Sequence, residues 1–174
     1  MKKINPNIND ASTLPGEFYC SNDYFEKVKL NLFPSTWQLV GSPEILNISS
    51  TAFPFTFLEG FIDEPLVFIK NKDGELKCYS NVCTHRGNIL IQYEGPIQKQ
   101  LVCGYHGRRF SNAGKFVSMP ESEGMNNFPC KDDDLTSIPF NKWKQFLFSS
   151  LDPSIDFNDF IGQMDEKVGW MPIE

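Results

Sequence analysis

Cys83-Thr84-His85-Arg86-Gly87 and Cys103-Gly104-Tyr105-His106-Gly107 decide how this chain is read. A mostly apolar passage separates the two stretches. Each offers one thiolate and one imidazole. The chain has 2 histidines, and both sit here. Unrelated, scattered histidines would not fall so, and the pattern points to a shared metal site.

Thiolate is a soft ligand that suits zinc and iron–sulfur groups, while neutral imidazole suits zinc, copper and iron. The order along the chain is Cys, His, Cys, His. A Cys2His2 zinc finger would instead place a Cys pair before a His pair. Mixed pairs suit a two-iron cluster in which two Cys hold one iron and two His the other. A structural zinc site stays open on ligand chemistry alone. Gly87 and Gly107 follow the histidines, so the backbone can turn tightly and bring amide N–H groups close to a bound group.

The pattern Cys-x-His-x17-Cys-x2-His, with His-Arg-Gly in the first stretch and Tyr-His-Gly in the second, resembles a Rieske [2Fe–2S] domain. It is most similar to the version at the N-terminus of ring-hydroxylating oxygenase α subunits. The resemblance implies that Cys83 and Cys103 hold one iron and His85 and His106 the other. It places Arg86, Gly87, Tyr105 and Gly107 around them, and it implies a Rieske-type cluster as cofactor. Arg108 stands where the family often has Trp. Rieske proteins of respiratory cytochrome complexes carry an extra Cys in each ligand loop, joined as a disulfide. Asn88 and Tyr105 occupy those positions here, so that bridge cannot form, and the resemblance is to the lower-potential branch.

Composition sets bounds. The 174 residues suffice for one domain with a core plus an extension. The formal charge of −6 argues against nucleic acid, which needs a basic stripe. No apolar run reaches the ~18 residues of a membrane span. The start, Met1 to Asp10, has no apolar segment after its lysines and does not read as a signal peptide. Five Cys, less the two in the motif, leave Cys20, Cys78 and Cys130, which cannot all pair. Free thiols in a reducing cytoplasm are the expectation.

Residues 1–35 read as an arm and a short helix. Ser21 caps the helix at Asn22, Pro34 ends it, and Tyr24, Phe25, Val28, Leu32 and Phe33 fall at helical spacing as a core-packing stripe. Strand signals follow at Trp37–Val40, Glu44–Ile48, Leu66–Lys70, Glu75–Val82, Leu101–Val102, Phe110–Phe116 and Trp143–Phe148. Asn71-Lys72-Asp73-Gly74 reads as a hairpin turn. The fold expected is mainly β, a Rieske fold of small antiparallel sheets with a two-loop cluster-binding subdomain over residues 36–152. The run Asp132-Asp133-Asp134 reads as a solvated loop, and Arg108 and Arg109 as solvent-facing. Residues 153–174 form a C-terminal extension with a short helix at 158–164.

The resemblance implies electron transfer. A reductase or ferredoxin would donate, and a mononuclear iron in an oxygenase catalytic domain, its own or a neighbouring subunit's, would receive. Full-length relatives of this kind are expected to assemble as homotrimers. The acceptor iron needs two further His beside a carboxylate, and this sequence has no His left once His85 and His106 are used. The chain is thus expected to be the N-terminal portion of a longer oxygenase subunit. A free-standing Rieske carrier is the alternative.

Overall fold

The computed structural model describes residues 4–42 and 51–172. Among them, short β-branched and aromatic runs form ten strands in three sheets, all paired antiparallel. After helices α1 (Glu17–Cys20) and α2 (Asn22–Asn31) come β1 (Gln38–Gly41), β2 (Thr51–Phe57), β3 (Glu64–Lys70), β4 (Leu76–Ser80) and β5 (Gly95–Pro96). β6 (Gln100–Val102), β7 (Arg109–Ser111), β8 (Phe116–Ser118), β9 (Phe140–Trp143), β10 (Phe146–Ser149) and helix α3 (Phe157–Val168) complete the chain. The sheet orders are β1-β10-β9, β4-β3-β2-β5 and β6-β7-β8.

β3 is the central support. Leu66, Val67, Phe68 and Ile69 are all buried, because β2 and β4 flank the strand and both of its faces are covered. Successive side chains point to opposite faces. Val67 and Ile69 therefore pack with Cys83, Leu101, Cys103 and Phe110, while Leu66 and Phe68 pack with Phe57, Cys78 and Leu147. Each such fully buried side chain stabilises the fold by ~1.5–3 kcal/mol. The two cores share this strand, so the end that carries Cys83 and Cys103 rests on the same element as the rest of the molecule.

Several expectations need correction. The stretch Trp143–Phe148 is not one strand. Trp143 ends β9, Lys144 (φ 51) and Gln145 make the hairpin turn, and Phe146–Phe148 lie in β10, so only the last part of the stretch is the expected strand. β2 escaped the sequence reading because Pro54 interrupts its β-rich run. The structure admits Pro54 because, among the described residues, β5 pairs only with Thr51 and Ala52, which leaves that side of β2 unpaired further along. α1 lies in what reads as an arm. The α2 stripe is not core: the helix has no buried residue, and Phe25 and Phe33 only meet the Phe61 ring edge-on. Ser21 precedes α2, but its side chain makes no capping bond. The run Glu44–Ile48 falls outside the described residues.

At the C-terminal end, α3 is longer than expected, and the Asp156 carboxylate caps it by accepting from the Asn158 N–H at 2.8 Å. Phe157 and Ile161 of α3 pack on Trp37, Trp143 and Phe148 of the first sheet. Among the described residues, no helix is long and apolar enough to cross a membrane.

Candidate metal centre

Two loops carry the four candidate ligands. Loop 1 follows β4 and is pinched by a bridge between Val82 and Ile89. Loop 2 joins β6 to β7. Their main chains close in the same way. The Cys83 N–H donates to the Asn88 carbonyl at 2.8 Å, and the Gly87 N–H donates to the Cys83 carbonyl at 3.0 Å. In loop 2 the Cys103 N–H donates to the Arg108 carbonyl at 2.8 Å, and the Gly107 N–H to the Cys103 carbonyl at 3.0 Å. Both glycines sit at φ 70, the left-handed region that a side chain disfavours.

These turns bring the four side chains together. Cys83 and Cys103 are each 2% exposed and belong to the core cluster beneath the loops. The rings of His85 and His106 are half-buried, with centroids 4.8 Å apart. Nδ1 of His85 is buried and has no hydrogen-bond partner. A buried polar atom without a partner is costly, and a bound group would relieve it.

The two sulfurs are in unlike surroundings. Burial pushes the Cys83 thiol up, and the His85 amide opposes this only in part. Burial acts on Cys103 as well, yet the amides of Tyr105 and His106 outweigh it and hold this thiol below its ordinary value. The Asn88 side chain adds a donor by reaching across from loop 1 to Cys103 Sγ at 3.7 Å. The thiols also lie within hydrogen-bonding reach of one another. Burial lowers the proton affinity of His85, helped by the charges of His106, Arg86 and Arg108.

The surroundings correct two readings. Arg108 does not face solvent: it is 2% exposed and forms an ion pair with Asp133. Nor is the acidic run simply solvated. Lys131–Asp133 form a 3-10 turn, the Asp133 carbonyl accepts from Thr84 Oγ1 at 2.8 Å, and its carboxylate accepts from the Cys130 N–H at 2.7 Å. The Cys130 amide and the Arg108 guanidinium hold the Asp133 carboxyl below its usual range. Asp134 accepts from Lys115 and from the Phe116 N–H. Thr84, Asn88 and Asp133 thus join the site. Asp133 has no local signal in the sequence, because its partners come from both ligand loops.

Other predicted residues fall where expected or apart. Arg86 and Arg109 are exposed. Tyr105 is 60% exposed, and its ring lies over that of His106 at 3.7 Å between centroids. All five cysteines are free, and burial drives Cys78 up to about 12, so it is inert.

This donor set fits a diiron group held by two sulfurs and two nitrogens: paired buried thiols, adjacent imidazoles, and amides aimed at sulfur. It fits one zinc ion poorly. Among the described residues, no three His, Cys, Asp or Glu side chains are placed to hold a single metal ion.

Comparisons with known proteins agree. Residues 37–129 match the family described as Rieske [2Fe-2S] domain. The carnitine monooxygenase oxygenase subunit of Escherichia coli (strain K12) is 29% identical over 149 residues, which cover 85% of this chain and 38% of that protein. Toluate 1,2-dioxygenase subunit alpha of Pseudomonas putida is 32% identical over 111 residues, covering 60% of this chain and 24% of its own length. The solved structure of a quaternary ammonium Rieske monooxygenase, a protein of carnitine oxidation and inter-subunit electron transfer, aligns with TM-score 0.74 and 24% identity. It covers 91% of this chain and 44% of its own. That likeness establishes the fold. The chain spans well under half of each of these proteins.

Proposed function

The chain belongs to the family of Rieske [2Fe–2S] domains, and on that premise we propose that Cys83 and Cys103 hold one iron of the cluster while His85 and His106 hold the other. When bound, such a group takes up and releases one electron at a time and has no open position for substrate. The observation that carries the assignment is the pair of matched turns, which bury two thiols and set two imidazoles side by side.

The chain's own residues divide the remaining work. The buried thiols, packed with Leu90, Leu101 and Phe110, keep water from the sulfur side. The amides of His85, Tyr105 and His106, with the Asn88 side chain, stabilise negative charge on sulfur. Gly87 and Gly107 permit the turns that aim those amides. The half-buried imidazoles are the way out for electrons, since they alone among the four ligands reach the surface. Arg86 and Tyr105 flank that exit, and a partner protein would meet them first.

We place the chain in the oxygenase α subunit of a ring-hydroxylating or demethylating system. Electrons would come from a reductase or ferredoxin and pass to a mononuclear iron outside these 174 residues, whose 2 histidines are already committed. A catalytic domain on a neighbouring subunit of a homotrimer is the acceptor we favour. The match to an oxygenase subunit over 85% of this chain, well beyond residues 37–129, supports this placement over a free-standing carrier. The domain division that goes with it is an arm at 1–35, the Rieske domain at 36–152 and an extension at 153–174.

Iron and acid-labile sulfide analysis, with EPR before and after reduction, tests the assignment. Iron and sulfide in equal amounts, with a signal that appears on reduction, is expected. The midpoint should lie in the lower part of the roughly −150 to +300 mV span of such centres. Zinc without sulfide, or a colourless protein after anaerobic reconstitution, would overturn it.

A further inference from the structure

Arg108 is the residue that the ligand set does not explain. It lies two positions after His106, and its carbonyl closes loop 2. Its side chain is 3% exposed. The guanidinium sits 4.9 Å from the ring centre of Phe116, 5.6 Å from Phe128 and 5.8 Å from Phe110. Nε has no partner. A cation in such a place costs free energy unless it is paired, and aromatic faces recover part of that cost. The pairing is with Asp133, whose side chain is 16% exposed and also accepts from the Cys130 N–H. The pair is therefore lopsided: its positive end is sealed inside and its negative end is partly solvated. Water and the amide screen the carboxylate better than the phenyl rings screen the guanidinium.

Geometry also gives the pair a mechanical part. Asp133 takes the Arg108 side chain from loop 2 and the Thr84 hydroxyl from loop 1. One short turn thus fastens both ligand loops.

We propose that Arg108 is a positioning and charge-tuning residue, a caged cation that favours the reduced state of the bound cluster and, through Asp133, locks the two ligand loops in register. Reduction adds one electron from the donor, and so one negative charge, at the site. A fixed positive charge sealed nearby favours that state, and Arg108 is tied to the site by its carbonyl, which takes the Cys103 N–H at 2.8 Å. This rests on the cluster assignment made above.

The test is potentiometric titration of the cluster-loaded full chain, followed by EPR, for Arg108→Met and Asp133→Asn. Loss of the cation should disfavour reduction at least tenfold, a midpoint lower by ~59 mV or more for one electron. Loss of the carboxylate leaves the cation uncompensated and should shift the midpoint upward. Opposite signs are the mark of charge, since loosened packing alone would not reverse between the two variants. The proposal is overturned if Arg108→Met stays within about threefold of the parent, or if both variants shift the same way. Should Arg108→Met not fold, Asp133→Asn decides alone: a rise supports the proposal and no rise refutes it. A parent chain that takes up no iron and sulfide would sink the cluster assignment instead, so the two failures are distinct.

Discussion

Cys83–Asn88 and Cys103–Arg108 trace the same turn, with the same two main-chain bonds and a left-handed glycine in each. What differs is the side chain at the closing residue and the placing of the imidazole. In loop 1, Asn88 closes the turn and lends its amide to the sulfur of the opposite loop. In loop 2, Arg108 closes it and turns away into a cage of rings and a carboxylate. His85 stands two residues after its Cys and His106 three. The backbone supplies a common frame, and the side chains make its halves unequal. Cys103 sits in the more polar half and Cys83 in the more apolar one.

Variants can test how far the likeness goes. The largest effect is expected from Cys83→Ser and Cys103→Ser, each of which should leave purified protein without iron or sulfide. A variant that keeps its full complement would show that its loop is not a ligand loop. Next come Gly87→Ala and Gly107→Ala. A side chain in the left-handed region costs ~1–2 kcal/mol. Thermal unfolding should show similar losses for the two, since both sit at φ 70 and each new methyl would meet only ordinary contacts, Pro120 at 3.4 Å for Gly107 and Val82 at 4.0 Å for Gly87.

A third test probes the strap beside loop 2. The Lys115 ammonium and the Phe116 N–H hold the Asp134 carboxyl below its usual range. Its folded value lies below the unfolded one, so its contribution is present above the unfolded value near 3.9. That contribution is lost as pH falls through the folded value. Asp134→Asn should therefore cost ~1 kcal/mol near neutrality and flatten the acid limb of a stability–pH curve. An unchanged acid limb would show that the strap does not hold. The smallest effects belong to loop 1. Asn88→Leu should lower the midpoint by less than ~59 mV, because one long N–H···S contact is lost. Exposed Arg86→Met should shift it less still, and the shift should fade as salt rises, unlike any shift from buried Arg108.

The two Cys-His loops, as neighbouring turns, and most strands are legible because their signals are local. Ligand spacing, a hairpin turn at Asn71–Gly74 and β-rich runs need no knowledge of partners. β2 is not legible, since Pro54 reads as a strand breaker until one knows that, among the described residues, β5 stops at Thr51 and Ala52. The helical stripe of α2 suggested a core that the fold does not provide. Arg108 and Asp133 read as solvent-facing because charged residues usually are. The burial of Arg108 goes with a pairing to Asp133 across 25 positions, which no window of sequence contains.

The frame of each loop is made of main-chain bonds and a glycine, whereas the outward side chains of Arg86 and Tyr105 bear none of it. Grip and address are therefore written in different atoms. On the proposed assignment, substitutions of the exposed Arg86 and Tyr105 side chains should alter the face offered to a redox partner and leave the colour of the loaded protein intact.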